Sequence, residues 1–332
     1  MGEPPVGRVV DGRSRGDAAR HRRTAQESGR GRRRRIHLAP WRRNARPPFH
    51  DGIPILDMYR ILSTLSDPCA CIASEDVLGH VRRGERFNAW AIDGASFLTD
   101  HPFTTFGDRS DAHWFAAELS AFLARELSER EFDAARLRPV LEDLRQRYLA
   151  LSPDTPLWAY PAAACTIVEL QRSGDQVVAD IHQYADCFAL FGAGRTDEPA
   201  PSVDDFRSTA SRIQWRPRSG FSGEQLARQR ERRIEQQHNR NTTALTLNPD
   251  SAANGIHVRQ TFAAPCQVLL GTDGVSRAWE YYGLVDQGDV IDFVSRNGLP
   301  ALFARLRHHE ENYVNPEMKS RDDAAALHIL CH

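Results

Sequence analysis

Acidic residues stand at the ends of apolar runs at three places in this chain. They are Asp93 in Ala-Ile-Asp-Gly, Asp273 in Gly-Thr-Asp-Gly, and the pair Asp322 and Asp323 before a closing apolar run. Any single Asp-Gly pair is also a common turn or helix cap, and Gly274 would let the chain turn into a helix. Several carboxylates delivered by strand ends are, however, suited to binding hard divalent cations, which prefer oxygen ligands.

A further acidic pair, Glu75 and Asp76, precedes Asp93 on a neighbouring predicted strand. Two divalent cations about 3.5–4 Å apart can activate a bridging water and stabilise both oxygens of an in-line displacement at phosphorus. The acids together therefore predict a Mg²⁺ or Mn²⁺ site for phosphate chemistry.

The elements that must position these acids come in clusters of strands separated by helices. Short apolar or alternating runs predict strands at 68–74, 86–92, 162–171, 176–191 (divided near Asp186), 255–263, 266–274 and 324–331. Amphipathic spacing predicts helices at 111–130, 133–151 (interrupted by Pro139), 223–239, 275–282, 287–297 and 299–313. The basic face of the helix at 223–239 is expected to be solvated. Because short hairpin links replace regular βαβ units, an α+β sandwich is favoured over a doubly wound sheet.

The net charge of −1 conceals a separation of charge along the chain. Residues 1–50 hold 14 Arg against four acidic residues, so the remainder is acidic. Such a head can attract polyanions without sequence preference, and specific nucleic-acid recognition is not expected. Neither a long apolar run nor a signal-peptide core is present, so we expect no membrane span and a cytoplasmic location. The six irregularly spaced cysteines are expected to be reduced, buried thiols.

Two segments are predicted. Residues 1–57 lack hydrophobic periodicity and are expected to be a disordered Arg-rich head, whereas residues 58–332 form the globular domain. Lys319 is the single lysine among 43 basic residues, a bias typical of GC-rich coding DNA. The Arg-rich head can therefore also be explained as the translation of DNA upstream of a true start at Met58.

The motifs around the acids resemble those of a family, the metal-dependent protein Ser/Thr phosphatases of the type 2C (PPM) superfamily, particularly divergent bacterial members. The resemblance spans Pro68 to Cys331 and rests on ordered blocks: SEDV, AIDGAS, AACTIVEL, YADCFAL, LLGTDGVSRA and SRDDAAALHI. It implies a four-layer αββα sandwich of two antiparallel sheets flanked by helices. The implied reaction is hydrolysis of phosphoserine or phosphothreonine in proteins by a water bridging two Mg²⁺ or Mn²⁺ ions, without a phosphoenzyme. It would oppose a Ser/Thr kinase.

The resemblance also implies which residues bind the two cations. Asp93 would bridge them, and Asp273 and Asp322 would be further ligands of one. Gly94 would contribute its carbonyl oxygen as a ligand, and Glu75 would bind the second cation through water.

Other residues would support these ligands. The resemblance implies that Asp76 and Asp323 hold the ligands in place, and that Asp186 orients water or serves an auxiliary third ion. The residue that binds the substrate phosphate is not identified by the motifs; Arg277 and Arg82 are the candidates.

The chain departs from the family pattern at positions that bear on turnover. Cys71 stands where the family often has a phosphate-binding Arg, Ala95 stands where a candidate general acid His is common, and Ala185 replaces the Gly of Gly-Asp-Ser. For the nearby His101 and His113, ordinary surface roles are favoured over acid catalysis.

Three alternatives remain open on the sequence. A pseudophosphatase would keep the fold as a binding module, although retention of the clustered acids argues against it. An N-terminal-nucleophile hydrolase would need a processed Ser, Thr or Cys, for which no site is evident. A nucleic-acid binder acting through the Arg-rich head would show steep salt dependence.

Overall fold

The computed structural model describes residues 58–69, 74–95, 98–99, 103–194, 222–312 and 321–332 of the 332-residue chain. Within these ranges the strands are β1 Tyr59–Asp67, β2 Asp76–Arg83, β3 Arg86–Gly94, β4 Ala162–Ser173, β5 Gln176–Tyr184, β6 Phe188–Ala193, β7 Leu245–Thr246, β8 Ile256–Ala263, β9 Cys266–Gly271 and β10 Ala324–Cys331. The helices are α1 Asp111–Glu129, α2 Ala134–Leu151, α3 Gly223–Gln237, α4 Asp273–Glu280 and α5 Val290–Asn312. The predicted head, residues 1–57, lies outside the described residues.

The strands form two sheets in which every pair is antiparallel. One sheet has the order β1-β10-β9-β6, and the other has the order β2-β3-β4-β5-β8, with β7 beside β4. The chain crosses between the sheets at the link from β5 to β6. Residues of both sheets can therefore meet at the end of the sandwich where this link lies.

Alternation along the strands builds separate apolar layers. In β3, Phe87 and Ala91 pack between the two sheets, whereas Trp90 and Ile92 pack against α1 and α2. A third cluster joins the four-stranded sheet to α4 and α5. The result is two antiparallel sheets between two helical layers, so the predicted αββα fold class is confirmed.

Most predicted elements are found, including 86–92 as β3, but the first predicted strand, 68–74, is wrong. Of the predicted strand 68–74, the described residues are not in a strand, and residues 70–73 are not described. The neighbouring strand is instead β2, within the charged segment that follows, and β1 precedes both. Because β2 is an edge strand, it leaves many polar side chains partly exposed and carries no continuous apolar run.

The predicted helices also match, with two local differences. Helix α2 continues through Pro139 instead of being interrupted there. The predicted boundary between 297 and 299 is a kink inside α5, where Gly298 has a φ of 80°. None of the described helices is long and apolar enough to cross a membrane. The cysteines in the described ranges are free thiols, and all but Cys69 are buried.

Candidate metal centre

Three carboxylates meet at one end of the two sheets. Asp93 lies near the end of β3, Asp186 lies in the link between β5 and β6, and Asp273 is the first residue of α4. One oxygen from each lies within 4.8 Å of the other two. Since a divalent cation binds carboxylate oxygens at roughly 2.0–2.6 Å, oxygens on opposite sides of one ion stand at about this spacing. All three residues are half-buried, so solvent retains access to the group.

The junction of β9 and α4 fixes the direction of Asp273. Every residue of β9 is buried, and Thr272 ends the strand by donating its N–H to the carbonyl oxygen of Ala325 on β10 at 3.0 Å. A Cβ atom on Gly274 would lie 1.7 Å from the carbonyl oxygen of Asp323. Gly274 lies inside α4, so the expectation that it turns the chain into the helix is wrong. Glycine is required there because a side chain would clash with the backbone of Asp323.

Burial and mutual repulsion act together on these acids. Burial raises the pKa of Asp93 well above its usual range, and the charges of Asp273, Asp76, Asp322 and Asp186 raise it further. Burial, followed by repulsion from Asp186 and Asp322, raises the pKa of Asp273 to about 7. Attraction to Arg277 opposes this rise but does not cancel it. The protein therefore holds more negative charge here than its own cations balance, which is the condition that a bound cation relieves.

Asp76 supports the group from β2. Its Oδ2 accepts a hydrogen bond from the Thr272 hydroxyl at 2.7 Å, while its buried Oδ1 has no partner among the described residues. Burial, and then the charge of Asp323, raises its pKa well above the usual range. An orphaned, buried carboxylate oxygen beside three more acids again fits a cation or a water that a cation binds.

The adjacent acids Asp322 and Asp323 have different surroundings. Both oxygens of Asp323 accept backbone N–H groups, one from Cys69 and one from Glu75, each at 2.6 Å. Asp323 thus holds Glu75 in place. Asp322 Oδ2 lies 3.9 Å from Nη1 of Arg277, and its charge acts on Asp93 and Asp273, although it is outside the group of three.

Glu75 and Gly94 form a second corner of the site. The N–H of Gly94 donates to the carbonyl oxygen of Glu75 at 3.2 Å, and a Cβ on Gly94 would lie 2.9 Å from that oxygen and 3.0 Å from the carbonyl oxygen of Ala112. The Glu75 carboxylate accepts a hydrogen bond from the hydroxyl of Ser110, the N-cap of α1. Ser110 was missed as a site residue. Its only sequence signal is its position before the predicted helix.

Neither candidate for phosphate binding stands at an open face of the site. Arg277 donates to the Tyr282 hydroxyl at 2.6 Å, lies 3.5 Å from Glu310, and has a side chain only 5% exposed. Glu310 in turn accepts from Arg307 at 2.6 Å, so Arg277 belongs to a buried ionic network. Arg82 is six residues along β2 from Asp76, roughly 20 Å in an extended strand.

His113, the described histidine near the site, has both ring nitrogens engaged. His113 Nδ1 contacts the carbonyl oxygen of Ser74 at 2.6 Å, and Nε2 contacts a guanidinium nitrogen of Arg109. Because a carbonyl only accepts and a guanidinium only donates, the neutral Nδ1–H tautomer satisfies both contacts. These contacts favour the ordinary, non-catalytic role expected for His113. His101 and Cys71 lie outside the described residues.

The basic face of α3 is not fully solvated, contrary to expectation. Arg230 donates to the carbonyl oxygen of Leu98 and lies 4.0 Å from the ring centroid of Trp158, while Arg233 is buried. Nothing in this charged stretch distinguishes these arginines from their exposed neighbours before the fold is known.

No family model matches the chain, and no curated protein matches it. Among solved structures, serine/threonine phosphatase Stp1 from Staphylococcus aureus is 14% identical, covering 81% of this chain and 94% of that one, with a TM-score of 0.41. The Mycobacterium tuberculosis serine/threonine phosphatase PstP/Ppp is 14% identical, covering 82% and 99%, with a TM-score of 0.43. A PstP catalytic domain in complex with two manganese ions is 13% identical, with the same coverage and TM-score.

At 13–14% identity and TM-scores of 0.41–0.43, structural similarity does not indicate an activity. The activity has to be inferred from the site. These solved structures are of Ser/Thr phosphatases, the proteins whose motifs the chain resembles.

Proposed function

We propose that this chain hydrolyses phosphoserine or phosphothreonine in proteins, using Mg²⁺ or Mn²⁺ bound at the carboxylate cluster. The observation that carries the proposal is the approach of Asp93, Asp186 and Asp273 to within 4.8 Å at an accessible end of the sandwich. The phosphoprotein would be the product of a Ser/Thr kinase in the same, cytoplasmic compartment.

The donor set suits two hard cations. Asp93, Asp273 and Asp322 would hold one, with Asp186 at its side. The Gly94 carbonyl and Glu75 would hold the second next to Asp93. Bound cations of this kind lower the pKa of water and neutralise charge on phosphoryl oxygens.

The remaining residues keep the ligands in place. The Thr272 hydroxyl orients Asp76, the two oxygens of Asp323 position Cys69 and Glu75, and the Ser110 hydroxyl orients the carboxylate of Glu75. Preorganised ligands of this kind need little rearrangement when charge develops during the reaction.

The leaving alcohol would take its proton from solvent. Ala95 supplies no acid, and both nitrogens of His113 are engaged. Since neither Ala95 nor His113 protonates the leaving oxygen, release should depend on how basic that oxygen is. We therefore expect p-nitrophenyl phosphate, with its weakly basic leaving group, to be hydrolysed faster than a phosphothreonine peptide.

The test is release of phosphate from a phosphothreonine peptide by the full chain with Mn²⁺. Asp273→Asn removes one clustered carboxylate, and Asp154→Asn makes the same change at an exposed position. We expect release by the wild type and by Asp154→Asn that disappears with EDTA and in Asp273→Asn.

A catalytically impaired binding module is the competing function, favoured by Ala95 and Ala185. It predicts that Mn²⁺ raises the melting temperature of the wild type while no peptide or p-nitrophenyl phosphate is hydrolysed. That result would overturn the phosphatase and leave metal binding in place.

A further inference from the structure

Arg233 is a buried cation whose hydrogen-bonding capacity is largely unused. It lies on the inner face of α3 and is 9% exposed. Nε donates to Gln236 Oε1 at 3.2 Å, and Nη1 donates to the carbonyl oxygen of Tyr160 at 3.3 Å. Nη2 donates to no atom of the described residues. A guanidinium has five N–H donors, and only two of those on Arg233 have a partner among the described residues, so a ligand can complete the set.

The side chain of Arg233 borders the candidate metal centre. It lines a small cavity of about 20 Å³ together with Glu75, Ser110 and Ala95, the last being two residues after Asp93. Burial lowers the pKa of Arg233 to about 10, and the charges of Glu75 and Asp93 oppose that shift. Arg233 is therefore a cation at neutral pH, close enough to these acids to interact with them.

Helix α3 is fixed against the body of the protein, so Arg233 does not have to be ordered when a ligand arrives. Arg230 stacks over Trp158 and donates to the Leu98 carbonyl oxygen at 2.8 Å. Gln237 donates to the carbonyl oxygen of Pro161 at 2.9 Å. Side chains one turn on either side of Arg233 thus anchor the helix, which reduces the entropy cost of binding through it.

The guanidinium favours an oxyanion, whereas Glu75 and Asp111, which line the same cavity, repel one until a bound cation balances their charge. A planar guanidinium matches two oxygens of a phosphate better than any other side chain does. The cavity has room for one water-sized atom, which a single phosphoryl oxygen could occupy. Ala95 adds no side chain that would block the approach.

We propose that Arg233 binds the phosphoryl group of the substrate beside the metal centre. This inference rests on the proposed function, because it names the residue that receives the phosphate in that reaction. Arg277 and Arg82 are then not needed for it.

The first test is calorimetric titration of inorganic phosphate into the full-length protein loaded with Mn²⁺. Arg233→Gln is compared with Arg232→Gln, which makes the same change of charge at the exposed neighbouring position on α3. We expect Arg233→Gln to weaken phosphate binding at least about tenfold, the scale of a charge-assisted contact, and Arg232→Gln to leave it within about twofold.

Binding is measured without turnover, so the two proposals fail separately. If the wild type binds phosphate, Arg233→Gln does not, and no substrate is hydrolysed, Arg233 keeps its assignment and the phosphatase proposal fails. Equal phosphate affinity of wild type and Arg233→Gln overturns the assignment whatever the activity. Absence of phosphate binding by the loaded wild type overturns it as well.

Kinetics and a second variant separate phosphate binding from a structural role. With an active enzyme, Arg233→Gln should raise KM about tenfold with a smaller change in kcat, and Arg233→Lys should recover part of the loss. If Arg233→Gln does not fold, Arg233→Lys decides, because it keeps the charge but loses the planar fork: unchanged phosphate affinity in that variant overturns the proposal.

Discussion

Asp76 and Asp93 stand directly opposite each other in the antiparallel pair of β2 and β3. Side chains of directly opposed residues share one face of the sheet, and like charges in such a pair are destabilising. Here burial raises the pKa of both carboxyls, and the charge of Asp76 raises the pKa of Asp93 further. The cost of this arrangement in the metal-free protein is the physical basis of the first prediction.

Asp93→Asn should stabilise the metal-free protein while removing its response to metal. Loss of one charge relieves repulsion within the cluster, which we expect to add about 1 kcal/mol to the free energy of unfolding in EDTA. The rise in melting temperature caused by Mn²⁺ should be much smaller than in the wild type. Thermal melts with EDTA and with Mn²⁺ measure both effects, with Asp154→Asn as control. A variant that melts lower than wild type in EDTA contradicts this account.

Gly274→Ala should disrupt the junction that presents Asp273. The added methyl would meet the carbonyl oxygen of Asp323 at 1.7 Å, so α4 or β10 must shift, at a cost of at least about 1–3 kcal/mol. Gly288→Ala is the matched control, since a Cβ there has no neighbour within 4 Å. Urea unfolding compares the two. Equal midpoints would show that the junction can adjust.

Ala185→Gly should stabilise the link that carries Asp186. Ala185 has a φ of 58°, in the left-handed region where a Cβ is unfavourable. Replacement by glycine removes this strain but makes the unfolded chain more flexible, so we expect a net gain of about 0.5–1 kcal/mol. The same change in β6, Ala189→Gly, lacks a left-handed φ and should destabilise. A loss of stability in both variants would argue against strain at Ala185.

His328 should make the protein sensitive to acid. Its imidazole is fully buried on β10, where Nε2 contacts Gln267 Oε1 on β9 at 2.7 Å and Ser295 of α5 donates to the same oxygen. Burial lowers the pKa of His328 to about 4. Between the unfolded value of about 6.5 and pH 4, the unfolded chain takes up a proton that the folded chain refuses. Stability should therefore fall as the pH drops through this window, by up to roughly 3 kcal/mol.

The measurement is urea unfolding from pH 7 to pH 4 for wild type and His328→Asn. The variant should be less stable than wild type at pH 7 but should lose less stability on acidification. Parallel pH profiles would mean that His328 titrates normally.

Much of the fold follows from the sequence because the central strands are continuous apolar runs that are buried on both faces. The division of 176–191 near Asp186 is confirmed by the gap between β5 and β6, and the closing strand matches β10. The edge strand β2 was misplaced because its polar residues stay partly exposed at the margin of the sheet. Alternation predicts a strand best where one face is buried, and an edge gives the weakest signal.

The site was predictable only in part. The sequence pointed to Asp93 and Asp273, since each ends an apolar run with Asp-Gly, and the structure brings them together with Asp186. Ser110 and Arg233 could not be found in this way. Their proximity to Glu75 depends on how α1 and α3 pack, which local sequence patterns do not encode.

The cluster joins the two sheets, and this has a consequence for unfolding rates. Asp93 belongs to the six-stranded sheet, Asp273 follows a strand of the other, and Asp186 lies where the chain passes between them. These residues are distant in sequence, so their oxygens converge only after the sheets have packed, late on the folding path. A cation that links them would then slow the separation of the sheets while leaving the folding rate nearly unchanged.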